Sequence, residues 1–194
     1  MRKIILASKS PRRKELLTGL GIKFKIHAST YEEDKTYATP EKTALMHAKH
    51  KAKDVAQHYK DAIIIGVDTL GAYKGKIIGK PKDKKDAKRI LKFLNNSRHE
   101  VISGIYVIDT KSKKEAGGTA ATYVKFCKMT DKNMDAYINS GEGNDKAAGY
   151  AIQGIGSLFV EKIEGEYFNV VGLPIFKLVK TLKRLGLDLP SLIR

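Results

Sequence analysis

The chain has 194 residues, 42% of them hydrophobic; that suits one domain, or two small lobes sharing a sheet, with a sizeable core. Its 37 Lys and Arg outweigh 21 Asp and Glu, a formal charge of +16, yet apolar periodicity from end to end argues against disorder. One cysteine, Cys127, excludes internal disulfides and a Cys-rich zinc site, and no stretch approaches the roughly 20 apolar residues that span a bilayer.

The apolar run after Met1-Arg2-Lys3 stops at Ala7, too short for a signal peptide, so a cytoplasmic protein is expected. Residues 3–7 read as a short buried strand. Residues 12–21 read as a helix with Ser10 as N-cap, Pro11 at the first helical position and Gly21 as the stop. A second strand is predicted over 23–28. A long helix opens at Pro40 and runs to about residue 59, with Leu45, Ala48, Ala52 and Val55 on one face.

The unbroken apolar run at 62–67 marks a central strand buried on both faces, ending at Asp68-Thr69. Residues 70–78 read as a hairpin turning at Lys74-Gly75-Lys76. A helix over 84–95 carries Ala87, Ile90, Leu91 and Leu94 inward. Two long β runs, 100–109 and 120–129, flank a polar loop at 110–118. A short helix at 131–140, a loop at 141–145, a strand at 158–163 and a helix at 174–185 complete the chain. The intermixing of helices and strands predicts a mixed α/β sheet with some antiparallel hairpins.

Several motifs carry chemistry. Ser8-Lys9-Ser10-Pro11-Arg12-Arg13 lies between a strand and a helix. Free backbone N–H groups, hydroxyls and guanidiniums at a helix start make a phosphate cradle, whereas cations there oppose the helix dipole unless an anion binds. A solvated basic helix start is the plain alternative. Asp68 at the carboxyl end of a central strand is placed to bind a divalent cation or to accept a proton from water; a strand-ending cap is the alternative. Lys80, in Ile78-Gly79-Lys80-Pro81, can reach a phosphate or be an ordinary turn lysine. Glu32-Glu33-Asp34 offers oxygen ligands to Mg²⁺ or Mn²⁺, or is an acidic loop. Lys51, beside the apolar stripe of its helix, points inward to an anion or snorkels outward. Three glycines around Gln153, in Gly149-Tyr150-Ala151-Ile152-Gln153-Gly154-Ile155-Gly156, suggest a loop that approaches a ligand closely, or a glycine turn. His47 and His50 lack a third ligand nearby in sequence and are set aside as a zinc site.

Taken in order, these segments resemble the Maf family of nucleoside triphosphate pyrophosphatases. The carriers are the run from Leu6-Ala7-Ser8 through Arg12-Arg13 to Leu16-Leu17, then Gly66-Val67-Asp68-Thr69, Ile78-Gly79-Lys80-Pro81-Lys82-Asp83, the run from Asp145 to Gly156, and Tyr167-Phe168-Asn169-Val170-Val171-Gly172-Leu173-Pro174. The resemblance covers residues 1–194 as one domain. It implies an α/β fold of the Maf and inosine-triphosphatase kind: a mixed twisted sheet flanked by helices, two lobes and a central cleft. It also implies metal-dependent hydrolysis of a nucleoside triphosphate to the monophosphate and pyrophosphate, serving nucleotide house-cleaning or cell division, with a homodimer as a family-level expectation.

By that resemblance Asp68 is the proton acceptor, and Ser8, Arg12, Arg13, Lys51 and Lys80 fall on phosphate-binding positions. Glu32 or Glu33 falls near the metal, with Asp68 as a further ligand. An ordinary aspartate, with a pKa of about 3.9, deprotonates free water poorly, but water on a divalent cation is far more acidic. Arg12, Thr69 and Gln153 match a subgroup associated with dTTP and UTP. A Gln amide pairs with N3–H and O4 of uracil or thymine, so CTP is expected to be weaker and 7-methyl-GTP poor. The alternative is a basic nucleic-acid-binding regulator without catalysis; it accounts for the charge but leaves the Asp-Thr and Gly-Lys-Pro motifs unused, and nucleic acid is therefore not the expected partner.

Overall fold

The computed structural model describes residues 2–188 and residue 192. Strand β1 (Lys3–Leu6) leads to α1 (Pro11–Gly19), β2 (Lys25–Ile26) and α2 (Pro40–Ala56). Strands β3 (Ala62–Tyr73) and β4 (Lys76–Ile78) precede α3 (Lys84–Leu94), and β5 (Arg98–Asp109) and β6 (Lys114–Phe126) precede α4 (Asp131–Ser140). Then come β7 (Val160–Glu164), α5 (Tyr167–Val171) and α6 (Ile175–Arg184). The seven strands form a sheet in the order β2-β1-β3-β5-β6-β7, with β4 paired to β3. It is mixed: β1 is parallel to β2 and β3, while β3–β4 and β6–β7 are antiparallel.

The chain divides into two compact units, the first made of Met1–Asp68, Ser103–Ala120 and Gly172–Arg194, the second of Thr69–Ile102 and Ala121–Val171. In the first, strand parity sorts the core. Ile4, Leu6, Ile63, Ile65 and Val67 pack with Leu17 of α1 and Leu178 and Leu182 of α6. Ile5, Ala7, Ala62 and Ile64 pack on the other side with Ala48, Ala52 and Val55 of α2. At the strand edge Arg2 hydrogen-bonds both carboxylate oxygens of Asp109 and reaches Asp61 at 3.0 Å, tying β1 to the far end of β5. In the second unit α3 buries Ala87, Ile90, Leu91 and Leu94. Its outer lysines form rungs to α4, from Lys88 to Asp135 and Lys92 to Asp131.

The structure differs from the sequence reading at several boundaries. Strand β3 does not end at Asp68-Thr69; it continues to Tyr73, where Gly71, Ala72 and Tyr73 pair with β4 and Leu70, Gly71 and Ala72 remain buried. The strand expected over 23–28 shrinks to two exposed residues. β6 starts at Lys114, four residues beyond Thr110, and absorbs Gly117 and Gly118. Ser10 starts α1 by backbone conformation, but its side chain makes no capping hydrogen bond.

Helix α2 lies unusually close to the sheet. A Cβ on Gly66 of β3 would stand 2.2 Å from the Ala48 carbonyl oxygen, and one on Gly104 of β5 would stand 2.2 Å from that of Ala44. Gly66→Ala should therefore lower stability by about 3 kcal/mol, the scale of an overpacked core. Gly19→Ala, at the open end of α1 with nothing within 4 Å, should be neutral or gain up to about 1 kcal/mol. Urea unfolding of both variants checks this; equal midpoints would contradict the close helix–sheet seat.

Candidate functional site

On β3 the residues facing α2 are 62, 64 and 66, so the same parity turns Asp68 toward that helix. On α2, Ala44, Ala48, Lys51, Ala52 and Val55 share the buried face. The two charged residues meet: Lys51 Nζ donates to Asp68 Oδ1 at 2.7 Å. Both are buried, at 9% and 6% exposure, so the pair is a matched necessity, since either charge alone would be costly there. Lys51 Nζ also lies 2.5 Å from Glu33 Oε1. Of the two glutamates considered, Glu33 therefore joins the trio, and Glu32 is exposed and outside it.

Residues 27–39, which carry Glu33, have no regular structure and are stapled to α2 by side chains. Asp54 accepts from Ser29 Oγ at 2.7 Å and Thr30 N at 2.8 Å. The Ser29 hydroxyl in particular holds the Asp54 carboxyl below its usual range. Tyr31 OH meets His47 Nδ1, and Tyr37 OH meets His50 Nε2, both at 3.1 Å. The histidine pair set aside as a zinc site thus positions the acidic loop. Sequence reasoning missed Tyr31, Tyr37 and Asp54; the i, i+3, i+4, i+7 spacing of His47, His50, Lys51 and Asp54 along one helix was the available signal.

Arg13 and Leu17, four apart on α1, are its buried residues. Arg13 Nε donates to Gly172 O at 2.8 Å, and one terminal nitrogen donates to Ser8 Oγ at 2.9 Å and Val67 O at 3.0 Å. Burial lowers its pKa from the ordinary guanidinium value, while the charges of Asp68 and Glu33 act in the other direction. Arg13 is thus not simply a solvated helix-start cation. It braces the β1–α1 turn against the backbone of the residue preceding Asp68. Arg12 is half-buried beside it in sequence, and Ser8 is buried.

The remaining predicted residues belong to the second unit. Thr69 is half-buried in β3; Lys80 is exposed in the segment after β4; Gln153 is exposed in the 149–156 loop. That loop is anchored by Tyr150 OH to buried His99 Nε2 at 2.9 Å and by Ala151 N to Tyr137 OH at 3.1 Å. Burial pushes His99 down to about 4, which keeps the ring neutral near pH 7. The glycines flanking Gln153 have an internal reason: a Cβ on Gly154 would stand 2.0 Å from the Glu142 carboxylate, and one on Gly156 would stand 2.4 Å from Ala151 O.

No three His, Cys, Asp or Glu side chains gather as a metal cage among the described residues. The trio still suits a hard cation. Its two carboxylates are hard oxygen donors, and Mg²⁺ sites commonly use one or two carboxylates with substrate phosphates and waters.

The family model for Maf-like protein matches residues 3–185. The chain belongs to the Maf family. Among curated Maf relatives, a dTTP/UTP pyrophosphatase of Methanosarcina barkeri (strain Fusaro / DSM 804) is 45% identical over 97% of this chain and 97% of its own. A dTTP/UTP pyrophosphatase of Thermoanaerobacter sp. (strain X514) is 48% identical over 94% of this chain and 96% of its own. One from Bacillus anthracis (strain CDC 684 / NRRL 3495) is 44% identical over 97% and 98%. Among the described residues no helix is long and apolar enough to cross a membrane.

In this Maf chain the buried pair yields a stability prediction. Lys51→Met leaves Asp68 without its ammonium and should cost about 3 kcal/mol, and Lys51→Met with Asp68→Leu should recover most of that loss. Urea midpoints of the three proteins measure it; a neutral single variant would contradict a buried, mutually dependent pair.

Proposed function

We propose that this chain hydrolyses dTTP and UTP to the monophosphate and pyrophosphate. The observation that carries the reading is the Glu33–Lys51–Asp68 trio, buried at Lys51 and Asp68, in a Maf chain whose relatives above are named dTTP/UTP pyrophosphatases. A cation and two carboxylates held together are what an anhydride hydrolase needs: charge to receive phosphate oxygens, and a base to receive the proton of the attacking water.

In this reading Asp68 accepts the proton as water adds to the α-phosphorus, the α–β bridging bond breaks and pyrophosphate departs. Arg12, Arg13, Lys51 and Lys80 supply positive charge to the triphosphate, and Ser8, oriented by Arg13, supplies a hydroxyl. Glu33 and Asp68 would hold a divalent cation, Mg²⁺ or Mn²⁺, which neutralises phosphate charge and acidifies water when bound. Thr69 and Gln153 take part in choosing the base, where a Gln amide suits N3–H and O4 of uracil and thymine. The product chemistry is that of nucleotide house-cleaning. A cytoplasmic location and a homodimer fit the same reading. The non-catalytic nucleic-acid alternative finds no support in those relatives.

Two outcomes are expected. Asp68→Asn should lower kcat by about 10²-fold or more, the usual weight of a general base, while Lys51 keeps Glu33 and the protein stays folded. Pyrophosphate release measured across dTTP, UTP, CTP, GTP and 7-methyl-GTP, with Mg²⁺, Mn²⁺ or chelator, should favour dTTP and UTP and vanish with chelator. Near-normal turnover by Asp68→Asn removes its catalytic role, and a purine preference removes the substrate assignment.

A further inference from the structure

Glu142 sits just after α4, in the stretch Gly141-Glu142-Gly143, and none of the roles above uses it. Its two carboxylate oxygens each accept a backbone hydrogen bond, Oε1 from Ile155 N at 2.8 Å and Oε2 from Gly156 N at 2.9 Å. The loop wraps the carboxylate closely enough that residue 154 has room only for glycine, whose φ of 148° is itself one that L side chains avoid. On the other side of Gln153, Ala151 N is fixed by Tyr137 OH, from the same helix that precedes Glu142. Gln153 is thus an exposed amide at the centre of a span pinned two residues before it and two and three residues after it. Burial works against ionisation of Glu142, yet the Gly156 and Ile155 N–H groups, the Tyr137 hydroxyl and the charge of Lys146 together hold the carboxyl below its usual range, so the clamp is charged.

We propose that Glu142 is the positioning residue of the base-reading loop: its carboxylate fixes residues 155 and 156 so that the Gln153 amide meets the base edge from one place and direction. This rests on the reading of Gln153 as the base-recognising group. An amide side chain can pair with either uracil or cytosine by flipping about its terminal bond, so the preference depends on where the amide stands when it meets the base edge, and its backbone sets that. A carboxylate is the group that accepts from two neighbouring N–H donors at once; an amide in its place would aim its own N–H₂ at one of them.

The test is the ratio of kcat/KM for UTP to that for CTP, in which the amount of correctly folded enzyme cancels. Wild type, Glu142→Gln, Gln153→Ala and the double variant are compared. Glu142→Gln should lower the ratio about tenfold, Gln153→Ala should lower it at least as far, and the double variant should go no lower than Gln153→Ala, since both act through one contact. A wild-type ratio in Glu142→Gln beside a collapsed ratio in Gln153→Ala overturns the positioning role alone. A ratio unmoved by Gln153→Ala overturns the base-reading role and the positioning role with it. Should Glu142→Gln not fold, Glu142→Asp keeps both acceptors on a shorter arm and must lower the ratio by a smaller factor; a wild-type ratio there overturns the proposal.

Discussion

One ammonium group organises the first unit. Lys51 is buried in the helix face that packs on the sheet, and a buried charge is tolerated only with a partner. Asp68 supplies that partner from β3, and Glu33 reaches the same nitrogen from the loop before α2. Everything around the trio serves its placement. The backbone-close seat of α2 at Gly66 and Gly104 brings Lys51 to the strand, and Arg13 fixes the carbonyl of Val67 beside Asp68. The tyrosine–histidine and Asp54 contacts hold the otherwise irregular acidic segment.

Much of this was written in the sequence. The bounds expected for α3 and α4 nearly match, and the structure adds their N-caps, Asp83 and Thr130, whose side chains accept from the helix backbone. Ser8, Arg12, Arg13 and Asp68 stood out in the sequence as motif residues. The parity that turns Asp68 to α2 was not legible, because the run at 62–67 is apolar throughout and only the packing shows Ile64 and Gly66 facing that helix. Other features were hidden by local rules that tertiary contacts override. Asp68 reads as a strand end, yet β3 runs on through it to pair with β4. Gly117-Gly118 reads as a loop, yet the Tyr106 ring lies over Gly117 so closely that a Cβ would stand 2.4 Å from it, and the strand passes beneath. The segment Tyr167–Val171, aromatic and β-branched, forms a short helix that propensity disfavours. There Asn169 is buried, donating to Val101 O and Thr122 Oγ1.

The second unit solves a different problem, that of holding an exposed polar side chain still. Gln153 is exposed. The backbone on either side of it is held by Tyr137, Glu142 and the buried Tyr150–His99 pair. The glycines of this loop, which in sequence suggest close approach to a ligand, first permit close approach to Glu142 and to the Ala151 carbonyl.

In the proposed reaction the triphosphate is received at the Lys51–Asp68–Glu33 trio. A crystal structure with Mg²⁺ and a dUTP analogue bearing an imido bridge between the α- and β-phosphates tests it most directly. Phosphate oxygens are expected within hydrogen-bonding reach of Lys51 and Ser8, with the Asp68 carboxylate facing the α–β bridge. An analogue bound with its triphosphate elsewhere, and the trio unchanged, would contradict it.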